Sequence, residues 1–146
     1  MAVARGTDHA DPSAEGRRER IGVLALAVGA TAYVGLVDPE RGGAYPPCPS
    51  RTLLGMDCPA CGGLRGTHDL LHGHLGAALD HNVLLVPALV VAAVALALWL
   101  APLVGRRPGP VHPPAWAAVA ALGVVAAFTV ARNLPVAGLD WLASGA

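Results

Sequence analysis

Three uncharged apolar runs divide the chain. Residues 21–37 form a run of 17 without a charge, about 26 Å long as a helix at ~1.5 Å per residue, near the short limit for crossing a bilayer. Residues 83–104 give 22 uncharged positions, with Pro87 in the first turn, where a missing N–H costs little, and Pro102 in the last. Residues 115–131 are a third run of 17, opened by Pro113-Pro114 and Trp116 and closed by Arg132-Asn133. The pattern predicts an all-α membrane protein with three transmembrane helices over 21–37, 83–104 and 115–131.

The segments between the runs read differently. Residues 1–20 mix Gly, Asp, Pro, Ser and Arg without a hydrophobic period and are expected to be a disordered tail. Arg17-Arg18-Glu19-Arg20 abuts the first run as the basic region of a signal peptide would. The cluster comes late, however, and no small-x-small cleavage site follows, so the run reads as a retained anchor. Within the segment 38–82, Leu64, His68, Leu71, Leu75 and Leu79 recur at helical spacing. Residues 62–81 are therefore expected to form interfacial helices, split in two at Gly73, with His74 at the N-cap of the second.

Charge orients these elements. Arg5, Arg17, Arg18 and Arg20 precede the first run, and Arg106-Arg107 lie in the connection 105–114, so both regions read as cytoplasmic. The cysteine-bearing loop 38–82 and the tail 132–146 are then extracytoplasmic, in a multi-pass protein of the cell membrane. The composition, 54% apolar and 14% charged over 146 residues, leaves too few charges to cover a soluble domain, so the lipid bilayer is the expected surrounding. Zero net charge removes the electrostatic case for a nucleic-acid partner. All the basic residues are Arg, a coding habit that suggests a GC-rich bacterial source. Small residues in the Ala-rich spans would let helices approach closely, so a homo-oligomer or another membrane protein is a plausible partner.

The candidate chemistry lies in the loop. Cys58-Pro59-Ala60-Cys61 is a C-x-x-C unit at the start of a predicted helix, where orphan N–H groups and the macrodipole favour thiolate. Arg65, one turn beyond Cys61, would add to this if it faced the sulfurs, and Cys48 is close enough in sequence to fold back. Three chemistries fit. Cys48, Cys58, Cys61 and His68, the last replaceable by His72, are the inventory of a tetrahedral zinc site. A disulfide within the trio would suit an oxidising compartment and leave one thiol over. Thiol–disulfide exchange would use Cys58, Cys61 and Cys48, although the βαβ context of redox C-x-x-C motifs is absent. The bland alternative is a tight turn fixed beneath the membrane surface.

A second polar set, Arg65, Asn82, Arg132 and Asn133, falls at the level of the loop. The favoured reading of Arg132 is a side chain snorkelling to head groups, over one that anchors the loop or an anionic ligand. His68 on an apolar stripe is more often packed than a ligand, and His72, His74 and His81 are expected to be solvated. There is no phosphate-cradling loop, nucleophile elbow, H-E-x-x-H or intramembrane carboxylate pair, so a non-enzymatic role is favoured. The loop then acts as a metal- or disulfide-stabilised interaction element. A membrane thiol oxidoreductase is the alternative, and an oligomeric transporter or channel subunit a distant third.

The run from Cys48-Pro49 through Leu54-Gly55 to Cys58-Pro59-Ala60-Cys61-Gly62-Gly63-Leu64-Arg65, then His68-Asp69, Gly73 and Asn82, resembles the membrane family catalogued as domain of unknown function 2752. The family pattern closes its last span with an Arg-Asn pair, matched here by Arg132-Asn133, so the resemblance extends over about residues 46–134. It implies a membrane location and no established activity. The family's Gly-Asp turn is Gly73-His74 in this chain, and its Asn-Pro is Asn82-Val83.

Overall fold

The computed structural model describes residues 12–41, 43–106, 113–135 and 142. The described residues are helical with no strands. Six helices follow one another: α1 (Pro12–Leu36), α2 (Pro49–Leu54), α3 (Gly63–Leu71), α4 (Leu75–His81), α5 (Leu85–Leu100) and α6 (Ala115–Asn133). A 3₁₀ turn over Ala101–Val104 prolongs α5. Three stretches are long and apolar enough to cross a membrane: Ala14–Leu36, Leu85–Val104 and Ala115–Asn133. The expected tails over 1–11 and 136–146, Leu142 apart, lie outside the described residues, as does most of the connection 105–114.

One boundary differs from expectation. α1 begins at Pro12, where a disordered tail was predicted to run to residue 20. Pro suits the opening of a helix, and Ala14, Glu15 and the arginines that follow are helix formers with an acidic residue in the first turn. A pattern without apolar periodicity can still be helical when it continues an apolar helix already nucleated next to it.

The spans show apolar side chains to their surroundings. Leu26, Val28, Val91, Val94, Val119 and Leu122 are all exposed. Among the described residues the buried apolar side chains are Cys61, Ala78 and Phe128 alone. Such helices are stable with lipid or other helices against them, because lipid rather than a protein core then meets the apolar surface.

α1 and α5 run antiparallel. Arg20 donates from Nε to the Trp99 carbonyl at 3.2 Å and sits 5.6 Å over the Trp99 ring, so the start of α1 lies beside the end of α5. At the opposite ends of these spans, α3 and α4 form a hairpin. Gly73 turns the chain with φ of +82°, and the His74 N–H donates to the Asp69 carbonyl at 2.8 Å. The hairpin closes tightly because Gly66 has no side chain: a Cβ there would come within 2.6 Å of Leu85 and 3.0 Å of the Ala78 carbonyl oxygen. α3 docks on the end of α1 through His68, whose Nδ1 lies 2.7 Å from the Val34 carbonyl oxygen. The side chain of Leu71 reaches Gly35 in the same contact.

Candidate functional site

Three sulfurs meet at the loop. Cys48 precedes α2, and its carbonyl accepts from the Arg51 and Thr52 N–H groups at 3.1 and 3.0 Å. Gly55, at φ of +65°, ends α2 and lets the chain return toward Cys48. Cys58 and Cys61 lie in a turn closed by Cys61 N–H to Cys58 carbonyl at 3.0 Å, while the Cys58 N–H donates to the Cys61 sulfur at 3.2 Å. The Sγ atoms are separated by 3.0 Å (58 to 61), 3.3 Å (48 to 61) and 3.6 Å (48 to 58).

A disulfide needs ~2.05 Å between sulfurs, and all three cysteines are free. Thiolates around a tetrahedral zinc with ~2.3 Å bonds lie ~3.8 Å apart, so the 3.6 Å pair is close to that spacing and the 3.0 and 3.3 Å pairs would open to admit an ion. The three donor atoms lie within 4.8 Å of one another, a grouping that could hold a metal ion.

Electrostatics separates the thiols. The Ser50 hydroxyl, 3.0 Å from the Cys48 sulfur, leads the groups that lower the Cys48 pKa to about 6, followed by Cys61, the Arg51 backbone and Cys58. Burial pushes Cys61 up to about 12, helped by hydrogen bonds in which Cys58 and Cys48 engage its neutral form. Gly62, left-handed at φ of +79°, separates the turn from α3, and Arg65 lines a groove with Asp38, Glu40 and His68.

Behind the turn, the polar set converges. Arg132, its side chain fully buried, donates from Nη1 to the carbonyls of Cys58 at 3.0 Å and Cys61 at 3.4 Å. Nη2 lies 3.9 Å from Asp57 Oδ2, and the guanidinium is 4.9 Å over Phe128. The snorkelling expectation is therefore overturned: carbonyls that end a turn without helix partners give the guanidinium acceptors inside the protein. Asn82 donates to the carbonyls of Pro59 at 2.8 Å and Cys61 at 3.2 Å. Asn133 exchanges two hydrogen bonds of 2.8 Å with the backbone of Asp57.

His68 and Arg65 are not brought to the sulfurs. His68 spends Nδ1 on α1 and lines the groove with Arg65, and the donors that lie within 4.8 Å of one another are the three cysteines. His81 is half-buried rather than solvated, with Nε2 3.2 Å from Asp69 Oδ2. Two participants escaped the sequence reading. Ser50 was legible as a hydroxyl two residues from a cysteine, and Asp57 as the acid directly before the C-x-x-C.

Residues 48–96 match the model of a family described as "Protein of unknown function (DUF2752)". Over those residues the chain is similar to that family. The DUF2752 match opens on Cys48, contains all three thiols, Asn82 and the α3–α4 hairpin, and ends within α5. Arg132 and Asn133, which hold the thiol turn from behind, lie beyond it. No curated protein and no solved structure matches the chain.

Proposed function

We propose that the loop is a metal-stabilised interaction element of a membrane protein, with Cys48, Cys58 and Cys61 as ligands of a thiophilic ion, zinc first. The observation that carries this reading is the triangle of free sulfurs from two separate segments. A bound zinc would supply a cross-link between the α2 segment and the C-x-x-C turn. Three thiolates exceed the charge of a divalent ion by one, and buried Arg132 behind the turn offsets that excess. Asn82 and Asn133 fix the backbone so that the sulfurs stay together. Leu53, Leu54 and Met56, all exposed beside the site, form the face offered to another membrane component.

The orientation follows the arginine bias: N-terminus cytoplasmic and thiol loop outside. Elemental analysis of the detergent-purified chain, with thiols counted under denaturing, non-reducing conditions, tests the metal. About one zinc per chain with three free thiols supports the reading; absence of metal with one free thiol replaces it with a disulfide.

Thiol–disulfide exchange is the second reading, favoured by the unequal thiols. Cys48, lowered to about 6, suits an attacking thiolate, and Cys61, raised to about 12, is a buried protonated reserve. In that scheme the Cys48 thiolate attacks a partner's disulfide and releases one partner thiolate. A second cysteine of the trio then attacks the mixed disulfide, leaving this chain oxidised and the partner reduced. A mixed disulfide trapped after Cys58→Ser or Cys61→Ser would support exchange, and inert thiols with no trapped species would sink it.

A further inference from the structure

The chain holds three cysteines, and the fold brings all of them to one point. Cys48 and Cys58 are half-buried and Cys61 is buried, so the group is reached from the side of the first two. An atom bonded at ~2.3 Å to each sulfur would see the separations of 3.0, 3.3 and 3.6 Å as angles of about 81°, 92° and 103°. These centre on a right angle and fall short of the ~109° of a tetrahedron.

Angles near 90° suit a trivalent p-block centre such as arsenic(III) or antimony(III), which bonds through three p orbitals and keeps a lone pair on its fourth side. Zinc asks more of the same atoms. The two closer pairs must open, and a fourth ligand must come from elsewhere, since the donor group among the described residues stops at three. Charge runs the same way. Three thiolates on a divalent ion leave one negative charge beside buried Cys61, whereas three on a trivalent centre leave none, and a neutral complex avoids the cost of burying charge. Soft thiolate ligands also select soft centres.

We propose that the trio is a site for a trivalent metalloid, taken up as arsenous acid or its antimony counterpart; this rests on the reading of the three cysteines as one ligand set. Arsenous acid is neutral and carries three hydroxyl groups. Each thiol gives its proton to one hydroxyl, which leaves as water, and an arsenic–oxygen bond is replaced by an arsenic–sulfur bond. Three thiols and one arsenous acid thus become three waters and one arsenic bound to Cys48, Cys58 and Cys61, with no change of oxidation state. The Cys58 N–H already faces the Cys61 sulfur at 3.2 Å, and Asn82, Asn133 and Arg132 hold the backbone of the turn. The sulfurs therefore need not be gathered on binding.

The full-length chain in detergent, reduced and freed of metal with a chelator, is titrated with sodium arsenite. The expected result is about one arsenic per chain by elemental analysis, an intact mass raised by one arsenic less three hydrogens, and no thiol left for alkylation. A complex through two thiols keeps a hydroxyl on arsenic and leaves one cysteine open to alkylation. That outcome, or failure to take up arsenic, overturns the site, and the parent chain reads it without any variant. Cys48→Ser should weaken binding at least about tenfold, and so should unfolding in denaturant, because both remove the preformed triangle. Equal affinity of the folded and unfolded chain overturns the site too. A parallel titration with zinc separates the two readings of the trio. Zinc bound without arsenic overturns the metalloid site and leaves the zinc site standing; arsenic bound without zinc does the reverse.

Discussion

The guanidinium of Arg132, in the last turn of α6, donates to the carbonyl of Cys58 at 3.0 Å across 74 residues of sequence. Arg132 Nε and Nη2 are buried with no hydrogen-bond partner, so the Nη1 bonds and the 3.9 Å approach to Asp57 are what hold this charge in place. An anchor of that kind is costly to remove, because the charge-assisted bonds that tie α6 to the turn are lost, although the Cys61 N–H, Asn82 and Arg51 still face the same acceptors.

Arg132→Gln should loosen the thiol turn rather than abolish insertion. Loss of charge-assisted hydrogen bonds in a buried place costs on the order of 2–3 kcal/mol. The melting temperature of the detergent-solubilised chain should fall by several degrees, and alkylation of Cys61 should accelerate. An unchanged Cys61 alkylation rate would show that Arg132 does not order the turn.

Asn133→Asp tests the reciprocal pair with Asp57. The substitution replaces the Nδ2 donor to the Asp57 carbonyl with a carboxylate oxygen and places a second acid beside Asp57. A loss of about 1–3 kcal/mol is expected at neutral pH. Partial recovery at acidic pH, followed by thermal melting, would identify the charge as the cause.

The thiols give opposite pH dependences in the metal-free chain. Cys48, lowered from 9.0 to about 6, contributes stability that is present above pH 9 and lost as the pH falls through 6. Cys61, raised to about 12, contributes stability present below its unfolded value and lost as the pH rises through 12. Their joint optimum lies near pH 9. Iodoacetamide at pH 7 should therefore label Cys48 faster than Cys61. Ser50→Ala removes the leading cause of the lowering and should slow labelling of Cys48 at pH 7 several-fold.

Two adjacent glycines should behave differently. A Cβ on Gly62, at φ of +79°, would collide with the His81 carbonyl oxygen, whereas a Cβ on Gly63 meets nothing within 4 Å. Gly62→Ala should deplete the folded chain, and Gly63→Ala should accumulate as the parent does. Equal membrane levels of the two variants on immunoblot would contradict this account of the turn.

The spans were legible because an uncharged run of 17 or more residues has few alternatives to a membrane helix. The split of the loop helices was legible at Gly73, since the left-handed turn it makes is one that glycine adopts freely. The partners were harder to read. A basic residue closing a span looks the same in sequence whether it reaches head groups or backbone carbonyls, so the burial of Arg132 was missed. His68 was counted among four metal ligands for its nearness in sequence to the cysteines, whereas its Nδ1 is committed to the Val34 carbonyl. Ser50 acts through a rotamer, which residue order does not encode.

α6 is bonded to the loop through Arg132 and Asn133, at one end of a 19-residue rod. A rod of that length spans about 28 Å, so a tilt of about 5° at the thiol turn carries Ala115 through about 2.5 Å at the far face of the bilayer. The fastening makes the helix a lever, with the cysteine turn as its fulcrum. A shift of the cysteine turn and a shift of the Ala115 end of α6 are in this way two readings of one movement.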